Sequence, residues 1–402
     1  MLITPALLHV KTHTGRGRQE TAVRLEARGV AEGYALDGLT AEDVLARLDV
    51  PVMYRGPEAT EWQCIRADHG AMADAGEWTD LLEALRFADQ DRTMVSGGYR
   101  MAPLISEGIR GRLLSALEAG DMAEAEAEIR RFEAVHSLHV ENYAATHLLA
   151  QALIDLGTAK LALAERDDAA PQFATEATAH FDAAEALLAQ FDPIEEMSPL
   201  LAATRYHLLS GLEDAKSLCS DWYEDWCDLD PEDALAHAAH ARMLLPAPGM
   251  SSAGFERAAR KATALTGQIT GKAAYAIFHL TAVERLGAAL PSLDLVLLAQ
   301  GLMDFQSATD CQHRANVAAN LLTELLRDYR LAGPAATYQL TKVRAALSDV
   351  LWNRLREVHL ESWEHGADSL AFALGEVFGP ALRKGGRIQR AGSGLGTRVP
   401  RN

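Results

Sequence analysis

LLSGLEDAKSLCSDWYEDWCDLDPEDALAHAAHARMLL, residues 208–245, combines a large apolar stripe, a proline break and a row of small residues. Leu208, Leu212, Ala215, Cys219, Trp222, Trp226 and Leu229 follow one another at steps of four and three. That spacing sets all seven on one face of a helix, with the two tryptophans at its widest part. Pro231 lacks the amide that a helix interior needs and restrains the residue before it, so the helix must stop near Asp230. Asp230 is then expected to cap a second helix whose first turn holds Pro231, Glu232 and Asp233. Ala234, Ala238, Ala241 and Leu245 form the apolar face of that second helix. Large residues facing small ones suit an antiparallel pair with almost no loop between them, the central hairpin of an all-helical protein.

Working outward, the same period recurs. Trp78, Leu82 and Leu85 share a face, as do Met122, Ala125, Ile129 and Phe132, and Leu149, Leu153 and Leu156. Downstream come Phe181, Ala184, Leu188 and Phe191, then Cys311, Ala315, Ala318, Leu322, Leu325 and Tyr329, then Leu340 through Leu355. Proline- and glycine-bearing turns separate these stripes, which predict roughly twelve to fourteen helices. The expected class is all-α, an array of antiparallel helical hairpins built as an α-solenoid or a compact multi-helical variant. Residues 1–75, interrupted by Gly15, Gly17, Gly29, Gly33 and Gly38, read as an irregular N-terminal cap. ALLHV and TAVRLEARGV within it could be short strands, and any strands are expected only in this segment. Thr40 followed by Asp43 signals a short capped helix there. The body runs over 76–378, with a subdivision near 246–254 at Pro246, Pro248 and Gly249. The stretch 379–402 reads as a flexible tail, too poor in apolar residues to pack.

LLSALEAGDMAEAEAEIRRFEAV, residues 113–135, resembles the tetratricopeptide-repeat superfamily: Gly120, Ala125, Ile129 and Phe132 fall where that motif keeps its turn glycine, small alanine and two packing residues. HFDAAEALLAQFDP at 180–193 and FERAARKATAL at 255–265 are similar to further second-helix halves. No strict 34-residue period relates these segments, and the usual terminal proline is missing after 135. The stretch WCDLDPEDALAHAAHARMLL also resembles bacterial families of helical proteins. These resemblances imply stacked hairpins and a binding surface, and they bring no catalytic residues.

Composition narrows the function. No run of eighteen or more apolar residues is present, so no membrane-spanning helix is expected. MLITPALLHVKTHTG lacks the basic start of a secretory signal, and Cys64, Cys219, Cys227 and Cys311 are too scattered for a disulfide framework. The expected compartment is the cytoplasm. The formal charge is −18, yet the stretch from 379 carries six positive residues and no acid, so the preceding 378 residues hold −24. Such a body repels a nucleic-acid backbone.

Four groups of residues bear on chemistry. Cys219, Cys227, His237 and His240 are suitable zinc ligands by type, but their spacing is not a compact ligand set and Cys219 lies on the tryptophan stripe, so packing is the better reading. His136, His139, Glu141 and His147 could form an acid–base site only if a partner helix returned to them; no HExxH pair or nucleophile elbow accompanies them. GSGLG at 392–396 has no preceding strand or Walker lysine to make a phosphate cradle. Neither metal nor cofactor is expected. Last, residues 211–233 hold nine acids against the single Lys216. Glu213, Asp214, Asp221, Glu224, Asp225 and Asp228, with Tyr223, are the candidate contacts for a basic protein or peptide. Arg383, Lys384, Arg387 and Arg390 are candidates of opposite sign, either docking on that acidic face or touching the partner directly. The leading expectation is a non-catalytic helical-repeat protein that binds a protein or peptide; the alternative is a helical enzyme or toxin-associated effector.

Overall fold

The computed structural model describes residues 38–166, 171–245, 251–286, 290–308 and 311–400. The strands expected at ALLHV and TAVRLEARGV lie outside these residues, as does part of the 246–254 connector. The described chain is predominantly helical, with seventeen α-helices and seven short strands. Helix α1 (Ala41–Leu45) begins at the expected cap, where Thr40 Oγ1 accepts from the Asp43 amide and the Asp43 carboxylate accepts from the Thr40 amide, both at 3.0 Å. Strands β1 (Leu48–Asp49) and β2 (Val52–Met53) follow, then α2 (Pro57–Ala75) and α3 (Trp78–Gln90). A hairpin of β3 (Met94–Val95) and β4 (Tyr99–Arg100) leads into α4 (Met101–Ile109) and α5 (Gly111–Ala119).

Next come α6 (Met122–Leu138), α7 (Tyr143–Arg166), α8 (Pro171–Leu188) and α9 (Pro199–Leu208). The central pair is α10 (Ala215–Leu229) and α11 (Ala234–Leu244). Then follow α12 (Ser252–Thr270), α13 (Ala273–Leu286), α14 (Leu295–Ser307), α15 (Gln312–Leu331) and α16 (Thr337–Asn353). The chain ends in β5 (Val358–His359), α17 (Ala367–Arg383), β6 (Arg387–Ala391) and β7 (Gly394–Arg398). Sequential helices stack on each other, α5 on α6, α6 on α7, α7 on α8, α12 on α13 and α13 on α14. This is the repeated helix-on-helix packing of helical-repeat architectures in general. At the segment read as a repeat, Gly120 ends α5 in the left-handed conformation (φ +73°), and Ala125, Ile129 and Phe132 of α6 are buried.

Buried apolar side chains form two clusters that meet at α9. Leu200, Leu201 and Leu208 belong with α2 to α8, whereas Ala202, Ala203 and Tyr206 belong with α1 and with α10 through β7.

The structure corrects several expectations. Strands are not confined to the first 75 residues. Besides the β3–β4 hairpin, β1 pairs in parallel with β6 and β2 with β5, so the two ends of the described chain are stitched together. The stretch from 379 is not a loose tail. Helix α17 continues through Pro380 to Arg383, and the β6–β7 hairpin buries Ile388 and Leu395 completely. Its turn is Gly392–Ser393, a two-residue loop whose first residue has φ +63°, which glycine alone adopts freely. GSGLG is therefore a turn and a packing device, since a Cβ on Gly394 would overlap the Trp352 carbonyl. Within 57–75, α2 replaces the irregular cap: Pro57 takes the first helical position, and Gly70 and Gly108 let α2 and α4 approach until a Cβ on Gly108 would strike the Arg66 carbonyl.

The central hairpin forms with changed ends. Leu208 closes α9 and a tight turn separates it from Ala215, so the seven-residue stripe is split between two helices. Asp233, not Asp230, caps α11, accepting from the Leu235 amide at 2.9 Å. Asp230 is engaged elsewhere.

Candidate functional site

Asp230 opens onto a partly enclosed cavity of about 100 Å³ bounded by α3, β4, α4, α7, α9, α10 and α11. It lies against α9, where the two apolar clusters meet. Its walls carry an unusual load of charge for an interior. Arg100 Nε and Nη2 each donate to one Asp230 oxygen at 2.6 Å, a two-pronged pair with both side chains buried. Arg110, between α4 and α5, pairs with Asp155 of α7. Arg66 of α2 reaches Glu107 of α4 at 2.6 Å. Burial pushes the Glu107 and Asp155 carboxyls up, against the pull of these arginines.

Asp89 holds the N-terminus of α9. It accepts from the Leu200 amide at 2.9 Å, the Tyr143 hydroxyl at 3.0 Å and the Ser198 hydroxyl. Burial outweighs these bonds and raises its carboxyl to about 6. Asp233 accepts from Trp226 Nε1 at 3.1 Å; burial first and then neighbouring Asp230 lift its carboxyl to about 7. Arg92, in the left-handed conformation at φ +51°, donates to the carbonyls of Leu229 at 2.7 Å and Gln90 at 3.2 Å. Arg242 of α11 lines the same cavity. Its Nη2 is buried without a hydrogen-bond partner among the described residues, and burial, then Arg285, lowers its guanidinium to about 10.

A neutral relay crosses one wall. Thr204 Oγ1 donates to the Leu200 carbonyl at 2.8 Å, so it accepts from His147 Nδ1 at 2.6 Å. His147 Nε2 is then the acceptor for the Ser106 hydroxyl at 2.7 Å. Burial holds His147 well below its ordinary range, so the ring is neutral. His207 continues the polar lining through Gln151 Oε1 at 3.0 Å, and Gln151 in turn donates to Asp155 at 2.9 Å.

Of the residues singled out in the sequence, His147 reaches this cavity, whereas His136 bonds Thr146 at 3.2 Å instead. The cysteine–histidine group is packed rather than poised. His237 and His240 Nδ1 share hydrogen bonds of 2.7 Å with the Tyr223 and Tyr206 hydroxyls, and Cys219 and Cys227 are buried. Among the described residues, Glu324, Glu364 and His365 are the group with ligand atoms close enough to share an ion, but Arg327 already pairs with Glu324. Trp226 is buried as expected; Trp222 is half-buried, with the Arg205 guanidinium 5.5 Å over its ring.

Along α10, Tyr223 points inward, stacked on His240 at 4.1 Å, and is not a surface contact. Asp230 and Asp233 are buried as well. Glu213, Asp214, Asp221 and Asp228 are exposed and Asp225 is half-exposed, none in an ion pair among the described residues. Glu224 pairs with Lys261 at 2.5 Å. Burial raises the Asp225 carboxyl while Arg205 opposes it. Arg383, Lys384, Arg387 and Arg390 are exposed at the end of α17 and on β6.

The chain matches no protein-family model, no curated protein and no solved structure.

Proposed function

We propose that this is a non-catalytic helical binding protein that engages a basic protein or peptide through the outer side of α10. The observation that carries the reading is the set Glu213, Asp214, Asp221, Asp225 and Asp228, which stand at or beside α10 without ion-pair partners among the described residues. Five unneutralised carboxylates on a body of strong negative charge attract a cationic partner and speed its encounter. Arg383, Lys384, Arg387 and Arg390 are proposed as contacts for acidic parts of the same partner. The test is capture of partners by the full chain beside a Glu213→Lys, Asp214→Lys, Asp221→Lys, Asp228→Lys variant whose circular dichroism matches. A basic protein retained by the first, released by the second and eluted by moderate salt supports the reading. Equal capture by both sinks it.

An enzymatic reading draws on the Ser106–His147 contact beside the cavity. It is the weaker one. His147 is backed by Thr204 rather than a carboxylate, and Ser106 Oγ also accepts from Arg110 Nε at 3.3 Å inside a buried helix. Labelling of Ser106 by a fluorophosphonate probe would reverse that preference.

A further inference from the structure

The cavity at α9 has an unmatched donor that the partner-binding reading does not use. Arg100 is matched by Asp230, Arg110 by Asp155, and Glu107 by Arg66. Asp89 and Asp233 are held by hydroxyl, amide and indole donors. Arg92 is bonded to two carbonyls. Arg242 alone among the four lining arginines has no polar partner among the described residues, and its Nη2 is shut off from solvent. A guanidinium is a planar fork suited to a carboxylate, and although Arg242 is half-buried as a whole, leaving its shielded Nη2 unpaired is costly. The lining on α9 and α11 is mixed: Leu200, Ala203, Leu235 and Ala239 are apolar, and Thr204 and His207 are polar but already bonded to the Leu200 carbonyl and to Gln151.

Size limits the ligand further. An apolar protein cavity of about 150 Å³ accommodates benzene, with six heavy atoms. In proportion, the cavity of about 100 Å³ here holds a molecule of roughly four heavy atoms. A tetrahedral oxyanion needs donors on several sides, whereas Arg100, Arg110 and Gln151 already donate to Asp230 and Asp155. A short-chain carboxylate needs them at one end only.

We propose that this cavity binds a small monocarboxylate, its charged end on the Arg242 guanidinium and its short alkyl body against Ala203, Leu235 and Ala239. The site is independent of the outer side of α10, and each can exist without the other.

The experiment is calorimetric titration of the full chain, in a buffer free of carboxylates at constant ionic strength, with acetate, propionate, propionamide, propylamine and inorganic phosphate. Acetate or propionate should bind, and the neutral amide, the amine and phosphate should bind at least tenfold more weakly. Arg242→Gln should weaken carboxylate binding at least tenfold. Arg242→Lys keeps the charge and should retain part of it. Ala239→Leu, which fills the cavity and leaves Arg242 in place, should abolish it, and melts of each variant without ligand report whether it folds. Equal affinity for propionamide, preference for phosphate, carboxylate binding that survives Arg242→Gln, or no binding by any probe would overturn the proposal.

Discussion

The Arg100–Asp230 pair allows a sharp test of what holds the seam together. Two hydrogen bonds of 2.6 Å join a guanidinium 10% exposed to a carboxylate 2% exposed, and they tie β4 to the turn between α10 and α11. Asp230→Leu leaves a buried guanidinium with only the Arg92 carbonyl at 2.9 Å and distant Glu232 at 3.5 Å. Stranding one member of such a pair costs about 3–5 kcal/mol. Arg100→Met strands Asp230 in the same way, with the Glu232 amide at 3.3 Å as its remaining donor. Combining both removes the two charges together and replaces them with apolar bulk of similar size. The double variant should therefore lose less than the sum of the singles, by about 2 kcal/mol or more, within the range seen for residues in contact. Equilibrium urea denaturation of all four proteins measures this, provided the slope with denaturant is constant across them. If the losses add to within about 0.5 kcal/mol, the pair is not coupled and the seam is not organised as described.

Trp226→Ala removes a side chain that is 1% exposed and bonded to Asp233, so denaturant melts should show a loss of about 3–5 kcal/mol; near-wild-type stability would contradict the packing of α10. Ile388→Ala should cost about 2–5 kcal/mol by the same assay, because Ile388 is fully buried in the strand that pairs with β1; a neutral effect would mean the terminal hairpin contributes nothing. Acidification should destabilise the protein between pH 6.5 and 4. Burial holds His207, His237, His279 and His313 at about 4 and His240 at about 3. These depressed bases contribute stability above about pH 6.5 that is lost as pH falls, on the order of 1.4 kcal/mol per pH unit for each proton the unfolded chain takes up in excess. Asp89 at about 6 and Asp233 at about 7 act oppositely, as do Glu107, Asp155, Asp225, Glu324 and Asp328, which burial also raises. Their contribution is lost as pH rises, but the histidines that burial lowers, with His136, His147 and His180 among them, are more numerous. Thermal melts at pH 6.5, 5.5 and 4.5 check the sign, and a melting temperature that climbs on acidification would refute it.

What the sequence revealed followed the range of the interactions. The stripes of α6, α10 and α15 were legible because period and capping are local. The β6–β7 hairpin was not. Its two core residues, Ile388 and Leu395, sit among glycines and arginines, and their burial depends on pairing with Leu48 and Asp49 at the other end of the chain. Helix α2 was obscured by Gly70, a residue kept for close approach to α4 rather than for helix propensity. The cavity did leave a local trace. His147, Gln151 and Asp155 recur at steps of four on α7, and Pro103, Ser106, Glu107 and Arg110 at helical steps across α4. Each is a polar row on a helix otherwise apolar on several sides, which marks a face turned toward other buried polar groups. Nothing local, however, joins Arg100 to Asp230 or brings Arg242 to α9.

The polar seam also explains how α9 can belong to two apolar clusters without sliding between them. A helix buried on both sides by leucine and alanine has several nearly equivalent registers, because apolar contacts carry little direction. The bonds at the cavity do carry direction, and each joins different elements: Ser106 of α4 to His147 of α7 to Thr204 of α9, Asp89 of α3 to Tyr143 of α7 and Leu200 of α9, Arg110 to Asp155. A shift of α9 by one turn would strand His147 Nδ1 and Asp89 at once, at about 1–3 kcal/mol for each buried group left unsatisfied. The two clusters supply most of the stability, and the polar bonds between them select one arrangement of the helices. Arg242 stands outside that lattice of bonds, so its charge contributes nothing to the register of α9 and stays available to a ligand.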